Sequence, residues 1–277
     1  MNLTDDPEAL VWLDSHDVEG LRNALATAAG VRWVQLPSAG VELMIDVIDQ
    51  TRTWTCAKGA YAQPVAEHAL TLALAGLRQL PTRIAARSWG MQGGDSLFGQ
   101  RVTIVGGGGI AQSLLELLAP FEVTATVVNR SGTPVPGAAR TVPVSGLHGA
   151  LPGALVVVLA LSLTPETRGL IGTQELRLMD QTAWLINVAR GGHVATDALV
   201  DALKEGAIAG AALDVTDPEP LPDGHPLWDL PTCIITPHTA DTIEMVLPLL
   251  AERIQTNVTR FAAEKPLVGL VDAEKGY

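Results

Sequence analysis

Apolar residues recur along this chain with two periodicities. From Arg101 onward, short β-branched runs suited to buried strands occur at residues 102–105, 123–128, 155–161, 183–188, 208–215 and 233–236. Between them the apolar positions fall three and four apart, at 110–118, briefly near Ser145, at 173–179, and at 196–205, where Leu199 and Leu203 share a face. Strands alternating with helices predict a parallel sheet covered on both sides. Ahead of this block, residues 10–13, 32–36 and 52–56 read as strands, with a helix over 18–29. A longer helix is expected from Pro64, at a first-turn position, through Glu67, Leu70, Leu74 and Leu77. Behind the block, 242–263 reads as a final helix, followed by a tail over 264–277. The simplest plan is a central α/β domain at 92–242 and a smaller one assembled from 1–91 and 243–277. Pro81 with the Gly/Ser-rich stretch 88–99 marks one crossing, and the segment around Asp241 marks the other.

Composition narrows the class. A chain of 277 residues that is 47% hydrophobic folds rather than staying disordered. Its net charge of -12 offers no basic face to a phosphate backbone, so nucleic acid is not an expected partner and a small anion would need a local cation. Cys56 and Cys233 are too far apart in the chain to suggest a disulfide framework or a metal cluster; they read as core residues in a reducing compartment, with no metal. The start, Met1-Asn2-Leu3-Thr4-Asp5-Asp6-Pro7-Glu8, is acidic and lacks signal-peptide regions. Apolar runs such as 154–161 fall well short of the roughly 20 residues that span a bilayer. A soluble, cytoplasmic protein is expected.

The sharpest local feature is Gly106-Gly107-Gly108-Gly109-Ile110-Ala111, which fits G-x-G-x-x-G/A between a β-branched strand and an apolar helix. Gly106 permits the tight turn, Gly108 lets a pyrophosphate approach the backbone, and Ala111 allows close helix packing. The helix N-terminus then offers N–H groups and a positive dipole end to phosphate. The central domain is therefore expected to be a Rossmann-type doubly wound parallel sheet that binds a dinucleotide. The fingerprint also calls for an acidic residue about 20 positions on, at the end of the second strand, to hold a ribose 2′-hydroxyl. That strand closes on Asn129-Arg130-Ser131 instead. Without the carboxylate nothing repels a 2′-phosphate, and Arg130 can pair with one, so NADP is favoured over NAD.

Further along, several stretches occur together: Leu163-Thr164-Pro165-Glu166-Thr167-Arg168-Gly169-Leu170-Ile171, Ile186-Asn187-Val188-Ala189-Arg190-Gly191-Gly192, Gly210-Ala211-Ala212-Leu213-Asp214-Val215, Pro218-Glu219-Pro220-Leu221-Pro222 and Thr236-Pro237-His238-Thr239-Ala240. In these the chain resembles the D-isomer-specific 2-hydroxyacid dehydrogenase family. The likeness extends to Val34-Gln35-Leu36-Pro37-Ser38-Ala39-Gly40-Val41, to Val65-Ala66-Glu67-His68-Ala69-Leu70, and to Pro266-Leu267, Val271-Asp272 and Gly276-Tyr277. The Arg-Ser pair after the second strand is similar to the NADPH-preferring glyoxylate/hydroxypyruvate reductase branch. The resemblance implies a flavodoxin-like smaller domain, here shortened at its N-terminus, and a homodimer.

Reducing a 2-keto acid requires a cation for the carboxylate, a proton donor for the carbonyl oxygen and a positioned hydride. Arg190 follows an apolar strand at the sheet edge where ligands bind, and its guanidinium can grip a carboxylate. His238 is the proton donor in reduction and the base in oxidation. By resemblance Glu219 is its carboxylate partner, orienting the ring and keeping its imidazolium form populated, although Asp217 is two residues away and either can face the site. Resemblance also implies cofactor contacts from Gly106, Gly108, Gly109, Ile110, Asn129, Arg130, Ser131, Ser162, Thr167, Val188, Ala189, Arg190, Asp214 and His238. Asp214 would lie near the nicotinamide carboxamide. The substrate carboxylate would meet Arg190 and the backbone of Ala39 and Gly40; a plain turn is the alternative reading of Ala39-Gly40.

Three positions depart from the family pattern: Glu42 for Asp, Ser162 for Pro and Ala195 for Asp. Ser162 touches the adenosine pocket, and Ala195 changes a helix cap. The expected activity is hydride transfer between NAD(P)H and a small 2-keto acid such as glyoxylate or hydroxypyruvate. A formate- or phosphite-type dehydrogenase is an alternative on the same scaffold, with Glu rather than Gln at 219 speaking against formate. A catalytically weak dinucleotide sensor, similar to the family's corepressors, is another; the intact Arg190, Glu219 and His238 set speaks against it.

Overall fold

The computed structural model describes residues 7–272. Most of the acidic start and the pair Gly276-Tyr277 lie outside the described residues. Two compact units divide the chain: one runs to Tyr61 and resumes at Thr242, and the other spans Ala62 to Asp241.

The smaller unit opens with β1 (Ala9–Val11), α1 (Val18–Thr27), β2 (Trp33–Gln35) and β3 (Thr53–Thr55). Its three strands are parallel in the order β1-β2-β3. Asp17 caps α1 by accepting the Gly20 N–H at 2.8 Å, a contact of the kind worth about 1 kcal/mol. Leu21, Ala24 and Leu25 then turn one apolar face onto Val34, Leu36 and Trp54.

The larger unit begins with α2 (Ala62–Leu77) and α3 (Leu80–Ala85) and continues through β4 (Arg101–Val105), α4 (Gly109–Leu118), β5 (Thr124–Asn129), β6 (Arg140–Pro143), α5 (Leu147–Ala150), β7 (Val156–Leu159), α6 (Thr173–Leu178), β8 (Trp184–Asn187), α7 (Thr196–Glu205), β9 (Gly210–Leu213) and β10 (Cys233–Ile235). All seven strands are parallel, in the order β10-β9-β8-β7-β4-β5-β6. From β4 the chain moves outward to β6 and then returns to the other side of β4, so the order reverses at the β4/β7 pair. Ligands bind beyond the carboxyl ends of strands at such a reversal. Side-chain alternation explains the continuous apolar runs: Val156 and Val158 join α2 and α4 in one core, while Val157 and Leu159 face α5, α6 and α7 in another.

The chain then re-enters the smaller unit with α8 (Ile243–Ala262), which continues through Pro248. Its Asn257, fully buried, donates to Gln35 Oε1 at 2.8 Å and exchanges hydrogen bonds with the backbone of Val268. No described helix is long and apolar enough to cross a membrane.

Helix α2 marks the main difference from the expected organisation. The sequence placed it with residues 1–91, but by contacts the division falls at Tyr61/Ala62. Its Val65, Ala66, Ala69, Ala73 and Leu77 share a core with Ile104, Leu114 and Ile186. Gly76 fits against Trp184 of β8 so closely that a Cβ there would lie 2.4 Å from the indole. The short edge strand β6 and the turn-length α3, started by Pro81, were also not foreseen.

Candidate active site

The glycine turn sits at the strand reversal. Gly106 has φ +122, and a Cβ on it would lie 1.9 Å from the Ala160 carbonyl oxygen, so only glycine fits. A Cβ on Gly108 would meet nothing within 4 Å, which leaves open space in front of α4. The first N–H groups of that helix, from Gly109 and Ile110 onward, have no intrahelical acceptor and suit an anion. Ala111 is fully buried behind them. The chain thus has the cradle that a dinucleotide pyrophosphate requires.

At the end of β5 the Asn129 amide closes its own turn: Nδ2 donates to the Thr133 carbonyl at 2.8 Å and Oδ1 accepts from Gly132 N–H at 2.6 Å. Ser131 Oγ lies 2.6 Å from Thr133 Oγ1. The turn carries the exposed Arg130. Hydrogen bonds from Thr164 and from its own backbone N–H, with a smaller contribution from the charge of Arg130, hold the Glu166 carboxyl below its usual range. In the latter loop Thr167 Oγ1 donates to the Ser162 carbonyl at 2.9 Å. Fully buried His193 spans it, with Nδ1 3.0 Å from the Thr167 carbonyl and Nε2 3.2 Å from that of Leu161. Burial pushes the His193 imidazole below its ordinary pKa.

Arg190 follows β8 and the buried Val188 and Ala189. Asn187, with no exposed surface, shapes this turn by donating to the Arg190 carbonyl at 2.9 Å and accepting from Ala189 N–H at 3.1 Å. Gly191 then presses on the next loop, where a Cβ would lie 1.9 Å from the Thr216 carbonyl. That loop carries Glu219, and the peptide bonds before Pro218 and Pro220 are cis. Glu219 Oε1 lies 2.6 Å from His238 Nδ1, and both side chains are partly exposed. Asp217, the other candidate, accepts from Arg168 at 3.3 Å instead.

His238 follows β10 in a left-handed conformation, φ 50, which costs a non-glycine residue about 1–2 kcal/mol. Its N–H donates to the Asp214 carbonyl at 2.8 Å. The buried Asp214 carboxylate supports the same loop from beneath: Oδ1 accepts from Thr236 Oγ1 at 2.5 Å and from Thr239 N–H at 2.9 Å, and Oδ2 accepts from Ala240 N–H at 3.0 Å. Burial alone would raise its pKa, but the hydrogen bonds from His68, Thr236 and the two amides bring it down to about 2. Asp214, expected beside the nicotinamide, therefore has its carboxylate occupied within the protein.

Arg190, Glu219, His238, the glycine turn and the other expected cofactor residues all belong to the larger unit. Ala39 and Gly40 belong to the smaller one, in the turn after β2, where the Ala39 carbonyl faces Cys56 Sγ at 3.5 Å. The sequence reading passed over Asn187, His193 and Asp241. Asp241 is half-buried, and its carboxyl is pushed up by burial, although the charges of His238 and Arg190 favour its ionised form. Its place three residues after His238 was the available signal.

Residues 68–240 match the family model described as D-isomer specific 2-hydroxyacid dehydrogenase, NAD binding domain. An uncharacterized protein in the proB 3′ region of Corynebacterium melassecola is 40% identical over 255 residues, covering 89% of this chain and 84% of that one. Glyoxylate/hydroxypyruvate reductase A of Serratia proteamaculans is 29% identical, covering 97% of this chain and 87% of its own length. Among solved structures, a D-isomer specific 2-hydroxyacid dehydrogenase from Xanthobacter autotrophicus, in complex with NADPH and MES, superposes with a TM-score of 0.85 at 31% identity, covering 100% of this chain and 88% of that one.

Proposed function

The chain belongs to the D-isomer specific 2-hydroxyacid dehydrogenases, and on that premise we propose that it is an NADPH-linked reductase of small 2-keto acids, with glyoxylate and hydroxypyruvate as substrates. The observation that carries this reading is the His238–Glu219 contact of 2.6 Å on loops that follow strands of the same parallel sheet as the Arg190 turn. Arg190 binds the substrate carboxylate through its guanidinium. A dihydronicotinamide, when bound, would supply the hydride for the keto carbon. His238, protonated, donates the Nε2 proton to the carbonyl oxygen, and Glu219 holds the ring through Nδ1 so that Nε2 faces outward. Hydride and proton together give the 2-hydroxy acid. In the oxidative direction neutral His238 accepts the hydroxyl proton.

Gly106, Gly108, Gly109 and Ile110 would hold the pyrophosphate, while Arg130 and Ser131 would take the 2′-phosphate. This preference is supported by the absence of a carboxylate at Asn129 and by NADPH in the Xanthobacter relative. The reading includes a cytoplasmic location and a homodimer; the exposed Trp89 and Met91 offer apolar surface for a second copy to cover, and sedimentation analysis measures the oligomeric state. The direct test follows nicotinamide absorbance with NADPH and NADH across a panel of 2-keto acids. Turnover of glyoxylate or hydroxypyruvate with NADPH is expected. NADH preference overturns the cofactor assignment, and cofactor binding with no keto acid turned over overturns the activity.

A further inference from the structure

Beneath the loop that presents His238 lies a side chain the reaction does not touch. His68, on α2, is partly buried, with Nε2 3.0 Å from Thr236 Oγ1 and 3.3 Å from Asp214 Oδ1. Thr236 has one hydroxyl hydrogen, and its oxygen is 2.5 Å from Asp214 Oδ1. An ionised carboxylate only accepts, so that hydrogen must point to Asp214; two oxygens so close without one between them would repel. The Thr236 oxygen is then free only to accept, which places a proton on Nε2 of His68. The direction of the chain is fixed: His68 donates to Thr236, and Thr236 donates to Asp214.

Asp214 in turn holds the backbone on both sides of the acid–base residue. Its carboxylate takes the N–H groups of Thr239 and Ala240, and its carbonyl takes that of His238. His238 keeps its left-handed conformation only while the surrounding structure over-determines it. Glu219, Arg190 and Asp241 carry the other charges near this loop. Helix α2, which carries His68, packs closely on the sheet: a Cβ on its Gly76 would lie 2.4 Å from the Trp184 indole of β8.

We infer that His68 is a positioning residue for proton transfer: through Thr236 and Asp214 it holds the His238 loop so that Nδ1 meets Glu219 and Nε2 meets the substrate. This rests on the reading of His238 as the proton donor. Removing the N–H of His68 leaves the Thr236 oxygen without its donor, takes the nearby N–H from Asp214 Oδ1 and frees the loop to relax at residue 238. A displacement of about 1 Å at a reacting group is enough to lower a rate by up to about 100-fold.

The test compares His68→Leu, His68→Gln and Thr236→Val with the wild type and with His238→Ala in the full-length protein. Measurements are kcat and KM with glyoxylate and NADPH, the solvent deuterium isotope effect on kcat, the NADPH dissociation constant by fluorescence, and the melting temperature. Gln keeps an N–H donor near the position of Nε2. The expected result is a kcat lower by about tenfold to 100-fold in His68→Leu and Thr236→Val, with a larger isotope effect, unchanged NADPH affinity and largely restored turnover in His68→Gln. A His68→Leu/Thr236→Val double variant, measured alongside, should be no worse than either single one, since both break one chain. Normal kcat in His68→Leu and Thr236→Val while His238→Ala is inactive overturns the positioning role alone. So does a parallel loss of NADPH binding, or a failure of Gln to rescue. Wild-type turnover in His238→Ala instead overturns the assignment of His238, and the positioning role with it.

Discussion

Glu219 Oε1 lies 2.6 Å from His238 Nδ1, which leaves Nε2 as the ring nitrogen that can face a substrate. On the proposed reading, that nitrogen carries the transferred proton. Replacing His238 by Ala should lower kcat by about 10² to 10⁴ with NADPH affinity retained, as removal of a general acid does. Glu219→Gln preserves shape but not charge, and should show a smaller fall in kcat. Steady-state kinetics on both variants provides the check; near-normal turnover in His238→Ala contradicts the assignment.

Arg190 is held by Asn187 at the end of a buried strand and is assigned the substrate carboxylate. Lysine keeps the charge but not the planar fork. Arg190→Lys should therefore raise KM for glyoxylate about tenfold or more. Initial rates across a substrate titration measure this, and an unchanged KM removes Arg190 from carboxylate binding.

For the cofactor, Arg130→Ala should raise KM for NADPH about 10- to 100-fold, the effect of losing one hydrogen-bonded charge, and leave KM for NADH within a factor of about two. Equal losses with both cofactors would show that Arg130 shapes its loop rather than reading the 2′-phosphate.

Asp214 gives a pH signature. Its carboxyl is held at about 2 in the fold against an ordinary 3.8, so the ionised form stabilises the native state. The contribution is about 2 kcal/mol, complete above about pH 4 and lost as pH falls from there toward 2. Asp214→Asn should be less stable than wild type by about that amount at pH 7, with the gap closing below pH 4. Urea unfolding of both proteins over this range measures the gap; one that is the same at pH 2.5 and pH 7 contradicts the linkage.

Much of this architecture was legible from local chemistry. The strand–glycine–helix unit at residues 102–118 reads directly, because the turn needs glycine at positive φ and the helix needs small residues where it packs. Helix 196–205 has the expected bounds, and Ala195 stands at its N-cap without a side-chain hydrogen bond, as its departure from the family pattern implied. Other features depend on contacts distant in sequence. Nothing local distinguishes Glu219 from Asp217 as the partner of His238; Arg168, from a different loop, pairs with Asp217. Helix α2 looks like any apolar helix, and only packing against Ile104 and Ile186 assigns it to the larger unit. His68 likewise acquires meaning from Thr236 and Asp214, which fold beneath it from the far end of the chain.

The division at Tyr61 and Thr242 has an evolutionary consequence. The glycine turn, Arg190, Glu219, His238 and the buried supports of their loops are borne by one continuous stretch of chain, whereas Ala39 and Gly40 come from the discontinuous one. Substitutions and length changes in the smaller unit can therefore accumulate without interrupting the stretch of chain that carries these residues.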